Sequence, residues 1–132
     1  MIGIDTNILV RIVARDDPEQ TMKAVALLKS LSEQQPGYVN LLTLAEFWWT
    51  LRSRLKQEKT QILEMIGMLL NSREILLEDE PTVEQALQLT AEGRGDFPDL
   101  LIALRNQAAG CARTVTFDRK AAAAIPGMEV LA

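Results

Sequence analysis

Four acids, Asp5, Glu46, Asp99 and Asp118, stand where an α/β chain gathers reactive groups. Asp5 ends the apolar run Met1-Ile2-Gly3-Ile4, and Asp118 ends Thr114-Val115-Thr116-Phe117. Glu46 lies in the first turn of a helix predicted to start at Thr43. Asp99 opens the helix predicted over residues 99–109, after the loop Glu92-Gly93-Arg94-Gly95-Asp96-Phe97-Pro98. Ligands of open α/β sheets collect at the carboxyl ends of the strands, and the first turns of the following helices face that same edge. The four carboxylates are therefore expected to point into one pocket. A like-charge pair ~4 Å apart, at an effective dielectric of about 20, costs on the order of 4 kcal/mol. A hard divalent cation relieves that cost: Mg2+ or Mn2+ takes oxygen ligands and keeps several waters. Such a centre suits phosphodiester hydrolysis, by activating water, polarising the phosphoryl oxygen and stabilising the leaving oxygen.

Residue counts narrow the chemistry. The chain has no histidine and one cysteine, Cys111. A disulfide within the chain, a Cys/His zinc site and an iron–sulfur cluster are excluded. So are the Ser-His-Asp and Cys-His mechanisms. Each acid taken singly also has a plainer role. An Asp after a strand serves as a turn residue, Glu46 has capping-box spacing from Thr43, and Asp99 is a first-turn helix acid.

The elements that position these acids alternate. Short strands, apolar on both faces, are predicted near residues 1–5, 38–42, 75–77, 112–117 and 128–131, with helical periodicity between them. That order predicts a single three-layer α/β domain over residues 1–132, a Rossmann-like parallel sheet of four or five strands flanked by helices. With 132 residues and 48% hydrophobic composition, the chain supports its own core. No run reaches the ~18 apolar residues of a membrane span, and the start lacks the basic and apolar regions of a signal peptide. A cytoplasmic protein is expected.

At the acids the chain resembles a known family. Ile4-Asp5-Thr6-Asn7-Ile8-Leu9-Val10, Leu44-Ala45-Glu46-Phe47, Asp96-Phe97-Pro98-Asp99-Leu100-Leu101-Ile102-Ala103 and Thr114-Val115-Thr116-Phe117-Asp118-Arg119-Lys120 are similar to the four motifs of PIN-domain nucleases. More narrowly they resemble the VapC toxins of bacterial toxin–antitoxin pairs. The resemblance runs through essentially the whole chain, in order. It implies a Mg2+- or Mn2+-dependent endoribonuclease, an RNA substrate, a cognate antitoxin protein and a homodimer. Carried over residue by residue, Asp5 and Asp99 match the family's direct metal ligands. Glu46 and Asp118 complete the quartet, directly or through water. Thr6 or Asn7, and Thr116, match the family's hydrogen-bonding residues that orient the carboxylates. Asp96, one helical turn before Asp99, is assigned an auxiliary role in the third motif.

Other residues admit two readings. Trp48 and Trp49 are adjacent and cannot both face one core, so one is expected buried and the other, with Phe47, in an exposed apolar patch suited to an interface. Arg11, Arg15, Arg52, Arg54, Arg94, Arg119 and Lys120 are candidate phosphate contacts. Arg119 and Lys120 rank first because they follow Asp118, and Arg94 next because its loop enters the third motif. The net charge is −4, from 14 basic and 18 acidic residues. With four acids assigned to a metal site, the remaining acids equal the bases, which is compatible with an RNA substrate. Two other functions fit an acidic α/β pocket: an RNA-binding or scaffolding module without turnover, and a phosphoacceptor domain like response-regulator receivers.

Overall fold

Ile2 and Gly3 form β1 (Ile2–Gly3) of the computed structural model, which describes residues 1–131. Then follow α1 (Thr6–Ala14), α2 (Pro18–Ser30), β2 (Gly37–Val39), α3 (Leu41–Ser53), α4 (Lys59–Leu70), β3 (Ile75–Leu77), α5 (Glu80–Ala91), α6 (Phe97–Ala108), β4 (Thr114–Thr116), α7 (Arg119–Ala124) and β5 (Met128–Val130). The chain is an α/β protein with parallel strands and helical crossovers, as its alternation predicts. Its contacts divide it into two units, Met1–Glu80 and Pro81–Ala132.

In the first unit β1, β2 and β3 pair in parallel in that order, with Ile2 opposite Gly37 and Gly37 opposite Ile75. Ile4, Val39, Leu44, Phe47, Trp48, Leu51, Ile62, Ile66 and Leu77 form its buried core. Side-chain caps define two helix starts. Asp17 accepts from the Gln20 N–H at 3.0 Å beside Pro18, and Asn40 accepts from the Thr43 N–H at 2.8 Å.

The cap at Asn40 corrects the expected start of α3. Leu41 and Leu42 belong to the helix, not to the strand, and β2 ends at Val39. Thr43 is the third helical residue and supplies the N–H that the Asn40 side chain binds. Glu46 is then the sixth residue of α3, in its second turn, and is no capping-box partner.

In the second unit β4 and β5 pair in parallel, with Thr114 opposite Met128. Val83, Ala86, Phe97, Leu100, Leu101, Ile125 and Met128 are buried there. Among the described residues the five strands thus form one three-stranded and one two-stranded hydrogen-bonded ladder. The loop into α6 turns on Gly95, whose φ of +130° is rarely adopted by side-chain-bearing residues. A Cβ at Gly95 would stand 2.6 Å from Ile125 Cγ1, so both backbone and packing require glycine. Pro98 then occupies the first turn of α6, where its missing N–H is harmless.

Candidate active site

The first unit carries Asp5 and Glu46 on the wall of one cavity of about 220 Å3. Asp5, Thr6 and Asn7 come from the start of α1. Glu46, Thr50 and Arg54 come from α3 and its C-terminal residue, spaced four apart and so on one helical stripe. The neighbouring stripe of α3, Leu44, Phe47, Trp48 and Leu51, is buried and holds the helix in place. Asp5 and Glu46 are both exposed to solvent.

Asp5 occupies the N-cap of α1 yet its side chain makes no cap hydrogen bond. By contrast, Asp17 and Asp118, in the same position before α2 and α7, accept from backbone N–H groups. A cap of this type stabilises a helix by about 1 kcal/mol. Asp5 forgoes it and leaves its carboxylate available to the cavity. Beside it, Thr6 is buried, and its Oγ1 is the one buried side-chain oxygen or nitrogen among the described residues without a hydrogen-bond partner. Leaving such a group unpaired costs about 1–3 kcal/mol. Asn7 lines the same cavity and is exposed.

The second unit carries Asp96, Asp99 and Asp118. Asp99 is the third residue of α6 and is half-buried between the buried Pro98 and Leu100. Its carboxyl is pushed above the usual aspartate range, first by burial, then by the negative charge of Asp118, then by that of Asp96. Asp96 is the N-cap of α6 but does not cap it through its side chain. Asp118 is fixed at the start of α7. Its N–H donates to Thr116 Oγ1 at 3.0 Å, and its Oδ1 accepts from the Ala121 N–H at 2.9 Å. The Thr116 hydroxyl therefore meets Asp118 at its backbone, while the Ala121 N–H meets its carboxylate. The negative charge of Asp118 acts on Asp99, and Asp5 shares a cavity with Glu46.

The basic residues ranked highest from sequence do not line that cavity. Arg94 is ion-paired with Glu92 at 3.5 Å, while Arg119 and Lys120 are exposed in the first turn of α7. The cavity of the first unit instead takes Arg11 and Arg54. The four-residue spacing of Glu46, Thr50 and Arg54 along one helix is a signal in the sequence that could have found the latter. Trp48 is buried and Trp49 is 64% exposed, as the pair requires, but Phe47 is buried and no part of an exposed patch. Phe117 is 79% exposed next to Asp118, which its apolar strand sequence did not indicate.

The donors in both units are carboxylate and hydroxyl oxygens, the set that Mg2+ or Mn2+ takes and soft metals do not. The unpartnered Thr6 hydroxyl and the unused Asp5 carboxylate fit that chemistry. Among the described residues no group of three or more acids or cysteines stands within coordinating reach of one ion. The effect of Asp96 and Asp118 on Asp99 is a through-space charge effect of longer range than coordination. Among the described residues no helix is long and apolar enough to cross a membrane.

No curated protein matches the chain. The PIN domain family matches residues 2–125, a match that takes in all four acids and runs through both units. The chain belongs to the PIN domain family, which is generally one of metal-dependent nucleases.

Proposed function

We propose that this chain is an endoribonuclease hydrolysing RNA phosphodiester bonds with Mg2+ or Mn2+. The observation that carries the reading is Asp5, a helix N-cap whose carboxylate does not cap and lines a cavity with Glu46. By the four-motif resemblance, Asp5, Glu46, Asp99 and Asp118 are the candidate carboxylate ligands of a divalent cation, with Asp96 auxiliary. When bound, the cation supplies a water of lowered pKa and positive charge for the phosphoryl oxygen. The chain's own part is to orient and charge that environment. Thr116 fixes the backbone of Asp118, and α7 holds one of its carboxylate oxygens. Burial and like charge make ionised Asp99 costly, a cost that a cation beside it would relieve. The buried Thr6 hydroxyl and the Asn7 amide, both on residues that line the cavity, are assigned the orienting of a carboxylate. None of these steps needs an imidazole, in keeping with a chain without histidine.

A narrower reading rests on the four-motif resemblance. The chain is the toxin of a VapC-type pair, cytoplasmic, homodimeric and held by an antitoxin protein. The exposed Leu42 and Trp49, seven residues apart on α3, offer an apolar stripe for such a partner. The test of the main reading is cleavage of single-stranded RNA by the purified chain in Mg2+ or Mn2+. EDTA is expected to stop it, and Asp5→Asn and Asp99→Asn each to slow it at least 100-fold with the fold retained. RNA binding with no cleavage under any of these metals would overturn it in favour of a binding module.

A further inference from the structure

We propose that the Arg54 guanidinium binds a phosphate of the RNA strand away from the bond that is cut, along the cavity between α1 and α3. The inference rests on the ribonuclease reading and assigns the direction in which the strand leaves Asp5 and Glu46. Arg54 lines the cavity that both acids line. Among the described residues its guanidinium has no hydrogen-bond or ion-pair partner. The other cation of this cavity, Arg11, is neutralised by Asp16 at 2.9 Å and held by Gln20 at 2.6 Å. Arg54 is therefore the uncompensated positive group in a cavity whose acids it does not pair with.

Helix geometry sets the spacing. Glu46 and Arg54 are separated by two turns of α3, about 12 Å along the axis. Arg54 thus stands two turns beyond Glu46 on the wall of the same cavity, and we assign it the phosphate next along the strand rather than the one at the acids. Thr50, between them on the same stripe, offers a hydroxyl along the way. At about 30 Å3 per water, a cavity of about 220 Å3 displaces several waters to admit a sugar–phosphate segment. A guanidinium suits the task because its planar fork meets two phosphate oxygens at once.

The experiment measures steady-state cleavage of a fluorescein-labelled single-stranded RNA by the wild type, Arg54→Gln, Arg54→Lys and Arg73→Gln. It also measures how RNA binding depends on salt in an Asp99→Asn background. Arg73 lies outside the cavity, ion-paired with Glu33. Arg54→Gln is expected to raise KM roughly tenfold, or about 1.4 kcal/mol, with kcat within twofold. The slope of log affinity against log salt should fall by about 0.7, the value for one phosphate contact on a single strand. Arg54→Lys should keep the slope and recover part of the KM, and Arg73→Gln should change neither. Unchanged KM and slope in Arg54→Gln, or a fall in kcat alone, would overturn the proposal while cleavage by the wild type leaves the ribonuclease reading standing. Absence of cleavage by the wild type would overturn both.

Discussion

Replacing Thr6 by Val should make the protein more stable and less active. Thr6 is 7% exposed, and its Oγ1 has no partner among the described residues. Valine keeps the shape and β-branching at the first position of α1, so packing and helix propensity change little. What changes is the hydroxyl, whose unpaired burial costs about 1–3 kcal/mol. For a chain of 132 residues each kcal/mol corresponds to about 3–4 °C in Tm. The expected gain is therefore on the order of 3–10 °C by circular dichroism melting in EDTA. RNA cleavage should fall at least tenfold in the same variant, because the hydroxyl is kept for the bound site. Thr6→Ser separates the two effects. It loses the buried methyl, about 1 kcal/mol of stability, and keeps the hydroxyl and the activity. A Tm lowered by 3 °C or more in Thr6→Val would refute the reasoning, since the hydroxyl would then have a partner in the folded protein.

Other perturbations act on the second unit. Because the folded protein holds the Asp99 proton above its ordinary value of 3.8, the native state binds more protons than the unfolded one just above that pH, and stability falls as pH rises through the window. Asp99→Asn should therefore raise Tm at pH 7 and leave it nearly unchanged near pH 3, and added Mg2+ should raise Tm in the wild type more than in the variant. An equal effect of Asp99→Asn at both pH values would contradict the assigned cause. Gly95→Ala should cost at least about 2 kcal/mol in urea unfolding, combining the φ of +130° with the 2.6 Å approach to Ile125; a change below 0.5 kcal/mol would show that the loop relaxes freely.

The strand–helix order and the buried faces were legible because they are local. Apolar pairs such as Ile62 and Ile66 recur at helical spacing and are fully buried. The start of α3 was not legible, because Asn40 and Thr43 both carry capping side chains and Leu41-Leu42 reads equally well as strand or helix. Only the backbone shows which of the two caps. Asp5 was visible as a strand-end acid, but its failure to cap α1 is a fact of side-chain geometry. Sequence ranks Arg54 below Arg119 because adjacency to an acid along the chain outweighs helical spacing until the helix phase is known. Its place in the cavity depends on α1 and α3 packing together, a contact between residues some forty positions apart. Phe47 was misplaced for the opposite reason: three aromatics in a row cannot be assigned to faces until the helix phase is known, and the phase buries Phe47 with Trp48.

The central claim is hydrolysis by water at carboxylates that hold a divalent cation, with no histidine and no ribose hydroxyl as nucleophile. The most direct measurement is the chemistry of the RNA ends made by the purified chain in Mg2+ or Mn2+. The account predicts 5′-phosphate and 3′-hydroxyl ends, formed only with metal and lost in Asp5→Asn. Ends bearing 2′,3′-cyclic phosphate, or cleavage that persists in EDTA, would contradict it.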